Sequence, residues 1–341
     1  MNMLKEAIST ALAGNDLPRS SAFEVMESIM SGSATDAQIG AFLIAMRMKG
    51  EKAPEIAGFA ESMRSKAHHV IAPDPRTVDL VGTGGDGKHT FNITTTSSFV
   101  VAGCGVPVAK HGNRSVSSKC GSADVLKELG VNLDLTAAGM TQCLAETGIT
   151  FLFAPGLHPA MKYAIGPRRE IGVRSFFNIL GPITNPAGVK RQLIGVYQKN
   201  LAPLLAEVLR QLGSEHVMLV HSEDGMDEIS LAAPTFVAEL KDGTIHEHTI
   251  QPEDFGINRN AASLEGGDAS ANAAIMQSIL KGDASPYRDV VILNAAAGLV
   301  AAGEFSDFKN AAKAAAESID SGAAAKKLKS LIEFSQELIN K

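Results

Sequence analysis

The chain has no tryptophan, only three tyrosines and a formal charge of -6, with 14 phenylalanines as its main aromatic complement. A general nucleic-acid binder needs a basic face interleaved with stacking aromatics, so that class is excluded. Three cysteines, Cys104, Cys120 and Cys143, form no C-x-x-C pair and cannot all pair with one another, which fits a reducing compartment and small core fillers. No H-E-x-x-H or Cys/His zinc spacing occurs. Long apolar runs are missing too. MNMLKEAIST has none after its lysine, which argues against a secretory signal, and VVILNAAAGLVAAG from Val290 is interrupted by Asn294 and too short to span a bilayer. A cytoplasmic protein with neither nucleic acid nor membrane as partner is expected, and the Val290 run is expected to be a buried strand entering a helix.

Another absence is local. From Gly87 to Ala123 there is no carboxylate, while the same interval holds Lys88, Lys110, Arg114 and Lys119 together with Asn92, Thr94, Thr95, Thr96, Ser97, Ser98, Ser115, Ser117, Ser118 and Ser122. A carboxylate there would repel an anion, so this interval is expected to hold several phosphate groups.

What is present organises into two textures. With 341 residues and 45% hydrophobic content, the chain can fill real cores. The first part reads as helices only: Ser21 and Glu24 have capping-box spacing, Thr35 and Gln38 repeat it, and Pro54 with Glu55 suits a first helical turn. A small helical domain over 1–70 is expected, joined in space by helices from about 160–190. From Val78 the chain changes to short β-rich runs, VDLV, SFVVAGCGVPVAK, ITFLFAP, QLIGVY, HVMLVHS, FVAEL and DVVILNAA, several alternating with helical stretches such as 122–129 and 201–212. This is the grammar of an α/β domain over 75–341, with a mostly parallel central sheet flanked by helices. The tail from Asn310 is expected to be one or two packed helices.

The segment VDLVGTGGDGKHTFN, 78–92, satisfies G-x-G-x-x-G with Gly82, Gly84 and Gly87. A dinucleotide site also needs an acid about 20 residues on, yet after Asp86 the next is Asp124. A P-loop needs Ser or Thr at 89, where His89 is a poor ligand for a hard cation. A third way of holding phosphate, or a structural glycine turn, remains. A second constellation, HSEDGMDE, puts Asp227 and Glu228 in a loop after the apolar strand HVMLV. Adjacent carboxylates suit Mg²⁺, although an acidic turn by itself reads first as solvated surface.

The motifs become specific in combination: GTGGD at 82–86, NITT at 92–95, KHGNR at 110–114, GSADVLKELG at 121–130, RREIGVRSFFNILGPITNPA at 168–187, EDGMDEIS at 223–230, GGDASANAA at 266–274 and LNAAAGL at 293–299. In this order, over nearly the whole chain, the sequence resembles the anthranilate phosphoribosyltransferase family. The resemblance implies transfer of a phosphoribosyl group from 5-phosphoribosyl 1-diphosphate (PRPP) to the amino group of anthranilate, in tryptophan biosynthesis, with release of pyrophosphate. It implies PRPP contacts from Gly82, Gly85, Asp86, Thr90, Asn92, Ile93, Thr94, Thr95, Lys110, His111, Gly112, Asn113, Arg114, Ser115, Val116, Ser117, Ser118 and Ser122. Anthranilate would meet Gly82, His111, Asn113 and Arg168, with His158 a weaker candidate. Arg169 reads instead as a surface ion pair with Glu170 or another acid. Mg²⁺ would be held by Thr94, Asp227 and Glu228; the family commonly has Ser where Thr94 stands.

A homodimer through the helical domain is also implied, and the apolar faces of so small a domain ask for a partner. The chemistry implied is charge neutralisation at departing pyrophosphate, with no strong general base and no covalent enzyme intermediate. A pyrimidine-nucleoside phosphorylase, or a module that binds without turnover, are the rival readings.

Overall fold

The computed structural model describes residues 3–115 and 119–338. Four helices come first: α1 (Met3–Leu12), α2 (Arg19–Met30), α3 (Asp36–Lys49) and α4 (Ala53–Ser65). The Thr35–Gln38 capping box forms as expected, with Gln38 N donating to Thr35 Oγ1 at 3.3 Å and Thr35 N to Gln38 Oε1 at 3.0 Å. The box expected at Ser21 and Glu24 does not, because α2 already begins at Arg19 after Pro18, which leaves Ser21 inside the helix.

The α/β part runs β1 (Val78–Gly82), α5 (Ile93–Gly103), β2 (Val108–Gly112), α6 (Ser122–Glu128), α7 (Ala137–Thr147), β3 (Ile149–Phe153), the short α8 (Ala154–Leu157), α9 (Lys162–Ile171) and α10 (Phe177–Ile183). It continues with β4 (Arg191–Gly195), α11 (Leu201–Gln211), β5 (His216–Ser222), β6 (Thr235–Lys241), β7 (Thr244–Ile250), α12 (Ala269–Leu280), α13 (Pro286–Ala301), α14 (Phe308–Asp320) and α15 (Ala323–Glu337). The seven strands form one sheet in the order β3-β2-β1-β4-β5-β6-β7. The first five pair in parallel and the last two antiparallel, so the expected fold class is observed. Strand order reverses between β1 and β4, and crevices at such a switch point, beyond the carboxyl ends of the strands, are where open α/β sheets bind ligands.

Two expected strands are helices. SFVVAG belongs to α5, whose buried hydroxyls are satisfied one turn back: Thr96 Oγ1 donates to Asn92 O, Ser97 Oγ to Ile93 O and Ser98 Oγ to Thr94 O, at 2.9, 2.9 and 2.8 Å. These three side chains face their own helix and leave the phosphate inventory. The Val290 run is α13, capped by Ser285, which accepts from Arg288 N at 3.2 Å, with Pro286 in the first turn. Buried on every side, it shows no amphipathic period, and a short apolar run of this kind cannot be told from a strand by pattern. The polar edge strand β7, TIHEHTI, was not among the expected strands.

Hydrophobic packing covers both sheet faces. On one, α5, α13 and the C-terminal helices pack on Leu80, Leu193 and Val220. On the other, Ile194, Val217 and Leu219 share a continuous core with α1 to α4, α10 and α11. Its centre is a ring cluster in which Phe59 lies edge-on to Phe42 (5.9 Å) and stacks on Phe176 (4.4 Å). Among the described residues no helix is long and apolar enough to cross a membrane.

Candidate active site

The glycine loop leaves β1 through left-handed backbone at Gly84 and Gly85 and is pinned on each side. Thr83 N donates to Gly195 O at 2.9 Å, Tyr197 N donates to Thr83 Oγ1 at 3.1 Å, and Gly84 N donates to Asp227 Oδ2 at 2.8 Å. Arg174, stacked over Tyr197 at 4.2 Å, donates to Gly85 O and occupies the space that a Gly85 side chain would need. Downstream, Thr90 bridges Glu265, Phe91 N donates to Leu264 O at 3.0 Å, and Gly266 N to His89 O at 2.9 Å.

The acidic loop after β5 closes onto this one. Asp227 N donates to Asp86 Oδ2 at 3.3 Å, and Thr94 N, in the first turn of α5, donates to Glu228 Oε1 at 3.3 Å. Ile93 is wholly buried beside it. A carboxylate at a helix N-terminus is well placed electrostatically. Asp227 and Glu228 are each only 8% exposed, so this acidic turn is not solvated surface. Burial, then the neighbouring Asp86, pushes the Asp227 carboxyl up to about 7; burial, then Asp227, pushes Glu228 well above the usual range. Glu228 Oε2 is buried and has no hydrogen-bond partner. Asp227 and Glu228 thus lie buried beside Asp86 with too little countercharge.

Lys110 on β2, whose charge acts on Glu228, is also buried and donates to Leu80 O at 2.6 Å. Burial lowers its pKa, while Asp79 and Glu228 hold it up. Asp79, buried in β1, accepts from His111 N (3.1 Å) and Asn185 Nδ2 (2.8 Å) and tethers the next strand.

The KHGNR loop after β2 carries Gly112, Asn113, Arg114 and Ser115; the expected contacts Val116, Ser117 and Ser118 lie outside the described residues. Asp124, the first acid after the acid-free interval, folds back to accept from Gly121 N (2.9 Å) and Ser115 N (3.2 Å) and to pair with Arg114 (3.2 Å). Ser122 Oγ donates to Asn113 O at 3.2 Å. An interval free of carboxylates in sequence is therefore bordered by carboxylates in space. Asn92 caps this corner from the α5 side, its N–H donating to buried Asn272 at 3.2 Å, while Thr95 is buried in the first turn.

On the other side His111 sits 5.3 Å from His158, ring centre to ring centre. Its Nδ1 lies 3.0 Å from Gly181 O. A carbonyl only accepts, so Nδ1 carries the hydrogen and Nε2 presents a lone pair; Nε2 is buried without a partner. Burial, then His158, pushes His111 down to about 3, and burial pushes His158 down to about 4. Arg168, half-buried in α9, lies over Phe177 at 4.9 Å and hangs from the phenylalanine cluster. Arg169 is exposed and, among the described residues, makes no ion pair, so the surface pair with Glu170 is not formed. Among the described residues no set of three His, Cys, Asp or Glu side chains encloses an ion unaided.

A model of the glycosyl transferase family a/b domain matches residues 74–325, and one of that family's helical bundle domain matches residues 5–67. An anthranilate phosphoribosyltransferase of Moorella thermoacetica is 53% identical over 97% of this chain and 98% of its own length. The chain belongs to the anthranilate phosphoribosyltransferase family. Two solved family members share its fold. The Thermus thermophilus protein superimposes with a TM-score of 0.92 at 38% identity, covering 97% of this chain and 99% of that one. The Saccharomyces cerevisiae protein, solved in complex with PRPP and Mg, gives 0.90 at 26%, covering 98% of each.

Residues not among the expected site residues help to shape this corner of the fold. Gly195 is required because a side chain there would collide with the Asp227 carbonyl oxygen. Its signal was legible as a glycine inside the strand pattern QLIGVY, which marks close backbone approach. Asp79, Arg174 and Asn272 gave none, since each acts through partners distant in sequence.

Proposed function

We propose that the chain transfers the 5-phosphoribosyl group of PRPP to the amino group of anthranilate, giving N-(5-phosphoribosyl)anthranilate and pyrophosphate, in the cytoplasmic biosynthesis of tryptophan. The observation that carries the reading is the meeting of Asp227 and Glu228 with the backbone amides of Gly84 and Thr94 at the sheet's switch point. There, the loop after β1 would receive the diphosphate, and Asp86 and the 92–95 turn the ribose side. Lys110 and the 111–122 loop would supply further donors.

A Mg²⁺ ion fits this donor set. The oxygens are hard, one of them is buried without a partner, and the two buried carboxylates lack countercharge. Asp227, Glu228 and the Thr94 hydroxyl would hold it, with water and substrate phosphate completing the shell. The ion would supply charge neutralisation for the leaving pyrophosphate. Arg168 would grip the anthranilate carboxylate with two parallel hydrogen bonds. His111, held neutral, would accept an N–H of the arylamine through Nε2 and orient its nitrogen toward the ribose. A group pushed down to about 3 is no strong base, in keeping with attack by an already neutral amine.

The helical region supports a homodimer, because Ile44 and Met48 of α3 and Tyr163 and Ile165 of α9 are exposed on helices that pack together. Light scattering should give twice the chain mass; a monomer at micromolar concentration contradicts it. Turnover is tested by mixing the protein with Mg²⁺, PRPP and anthranilate. Anthranilate fluorescence should fall in step with pyrophosphate release. Phosphate-dependent cleavage of a pyrimidine nucleoside, or substrate binding without turnover, would replace this reading with a rival one.

A further inference from the structure

Helix α13 is buried along most of its length, yet it carries an amide near its centre. Asn294 is 0% exposed. Its Oδ1 accepts from Ile229 N at 3.0 Å, and its Nδ2 donates to Ile229 O at 3.0 Å and to Val290 O at 2.9 Å. One side chain therefore pairs both backbone groups of a single loop residue, as a neighbouring strand would. A polar group in a buried helix is costly unless satisfied, and leucine would serve the packing of α13 as well. The amide is explained by what it grips.

Ile229 directly follows Glu228, and its own side chain is fully buried. On the other side, the Asp227 carbonyl is pressed against Gly195. The acid pair is thus held between a strand end and a helix, although it lies in a loop that has no ladder of its own.

We infer that Asn294 is a positioning residue for the metal-binding carboxylates, fixing the main chain at Ile229 so that the unpartnered Glu228 oxygen is presented before any ligand arrives. The inference rests on the proposed role of Asp227 and Glu228 as Mg²⁺ ligands. Only a planar group with one acceptor and one donor makes both bonds to Ile229. Ionised aspartate offers acceptors alone and only its protonated form could mimic the pair, alanine and leucine offer neither, and glutamine is longer by a methylene.

The test compares Asn294→Leu and Asn294→Ala with Glu228→Gln. Two quantities are read: the Mg²⁺ concentration giving half-maximal activity, and Mn²⁺ retained on the protein with PRPP, by electron paramagnetic resonance. Loss of a supporting partner typically weakens metal affinity about 10–100-fold, and a shift in that range is expected in both Asn294 variants, with the KM for anthranilate within about twofold. If Glu228→Gln shifts the metal dependence and the Asn294 variants lose only kcat or thermal stability, the inference is wrong. If Glu228→Gln leaves it unmoved, the metal assignment fails and the inference with it. Should the Asn294 variants not fold, hydrogen exchange on the unaltered, ligand-free protein decides. Slow exchange over 227–230 supports a preset loop; exchange as fast as in the exposed 258–263 segment overturns it.

Discussion

The two halves of the site are built by opposite means. The acidic half is largely backbone: amides of Gly84 and Thr94, the turn of GTGGD and a loop clamped at Ile229 meet at strand ends. The half around Arg168, His111 and His158 is side chains hung from hydrophobic packing, with Phe177, Phe176 and Phe59 as the platform. The backbone half is written in short glycine and carboxylate motifs, although these meet only in the fold, Gly84 and Asp227 being 143 positions apart. The packed half leaves no such motif, because its side chains are placed by the hydrophobic residues beneath them. It follows that damage to the first should appear as lost chemistry, and damage to the second as lost acceptor binding or lost stability.

The sharpest separation comes from the acids. Glu228→Gln or Asp227→Asn is expected to lower kcat/KM for PRPP by about 10²–10³-fold, the scale of losing one preorganised electrostatic contact at a leaving group. Thermal stability should hold or rise, since an undercompensated buried carboxylate is removed. Next comes Arg168→Ala, expected to raise the KM for anthranilate by roughly 10–100-fold, from the loss of charged hydrogen bonds of about 1.5–3 kcal/mol, with PRPP binding changed little. Equal losses for both substrates would merge the two halves and contradict the division.

Phe59→Ala should cost about 3–5 kcal/mol of stability, the usual range for emptying a buried aromatic site, and should impair anthranilate use more than PRPP use because Phe59 supports Phe176. Thermal denaturation with paired KM measurements checks it.

The smallest effect is a pH slope. His111 and His158 are pushed down to about 3 and about 4, so as pH falls below the ordinary value of 6.5 the unfolded chain takes up these protons first. Their neutral burial therefore favours the fold least at low pH, and stability is lost progressively below about 6.5. Buried Asp79, pushed up to about 6, works the other way: the fold keeps that proton, and the gain is lost as pH rises from 3.8 through about 6. Comparing the parent with His158→Asn isolates the histidine contribution; the variant should lose less stability between pH 7 and pH 5. Parallel curves would contradict it.

What the sequence revealed follows the same division. GTGGD stood out for its glycines and KHGNR for cations in an acid-free interval, whereas the DE pair read alone as solvated surface and gained its metal role only through the family likeness; its burial shows why composition could not decide. The hydroxyl-rich stretch after Asn92 misled because Ser and Thr hydroxyls serve α5 from within as readily as they serve a ligand. Val290 to Ala301 misled for the complementary reason: a helix buried on all sides loses its period. Asn294 was visible as a break in an apolar run, but its meaning depends on Ile229, 65 positions away. Arg168 was named through family likeness; nothing local distinguishes it from Arg169 until Phe177 lies under one of them.

The most direct test of the account is a crystal of the protein with PRPP and Mn²⁺, read by anomalous diffraction. A manganese peak in contact with Asp227 and Glu228 is expected, with the diphosphate lying along Gly84 to Asp86. A peak away from both acids, or sugar diphosphate bound elsewhere than at the carboxyl ends of β1 and β5, would contradict it.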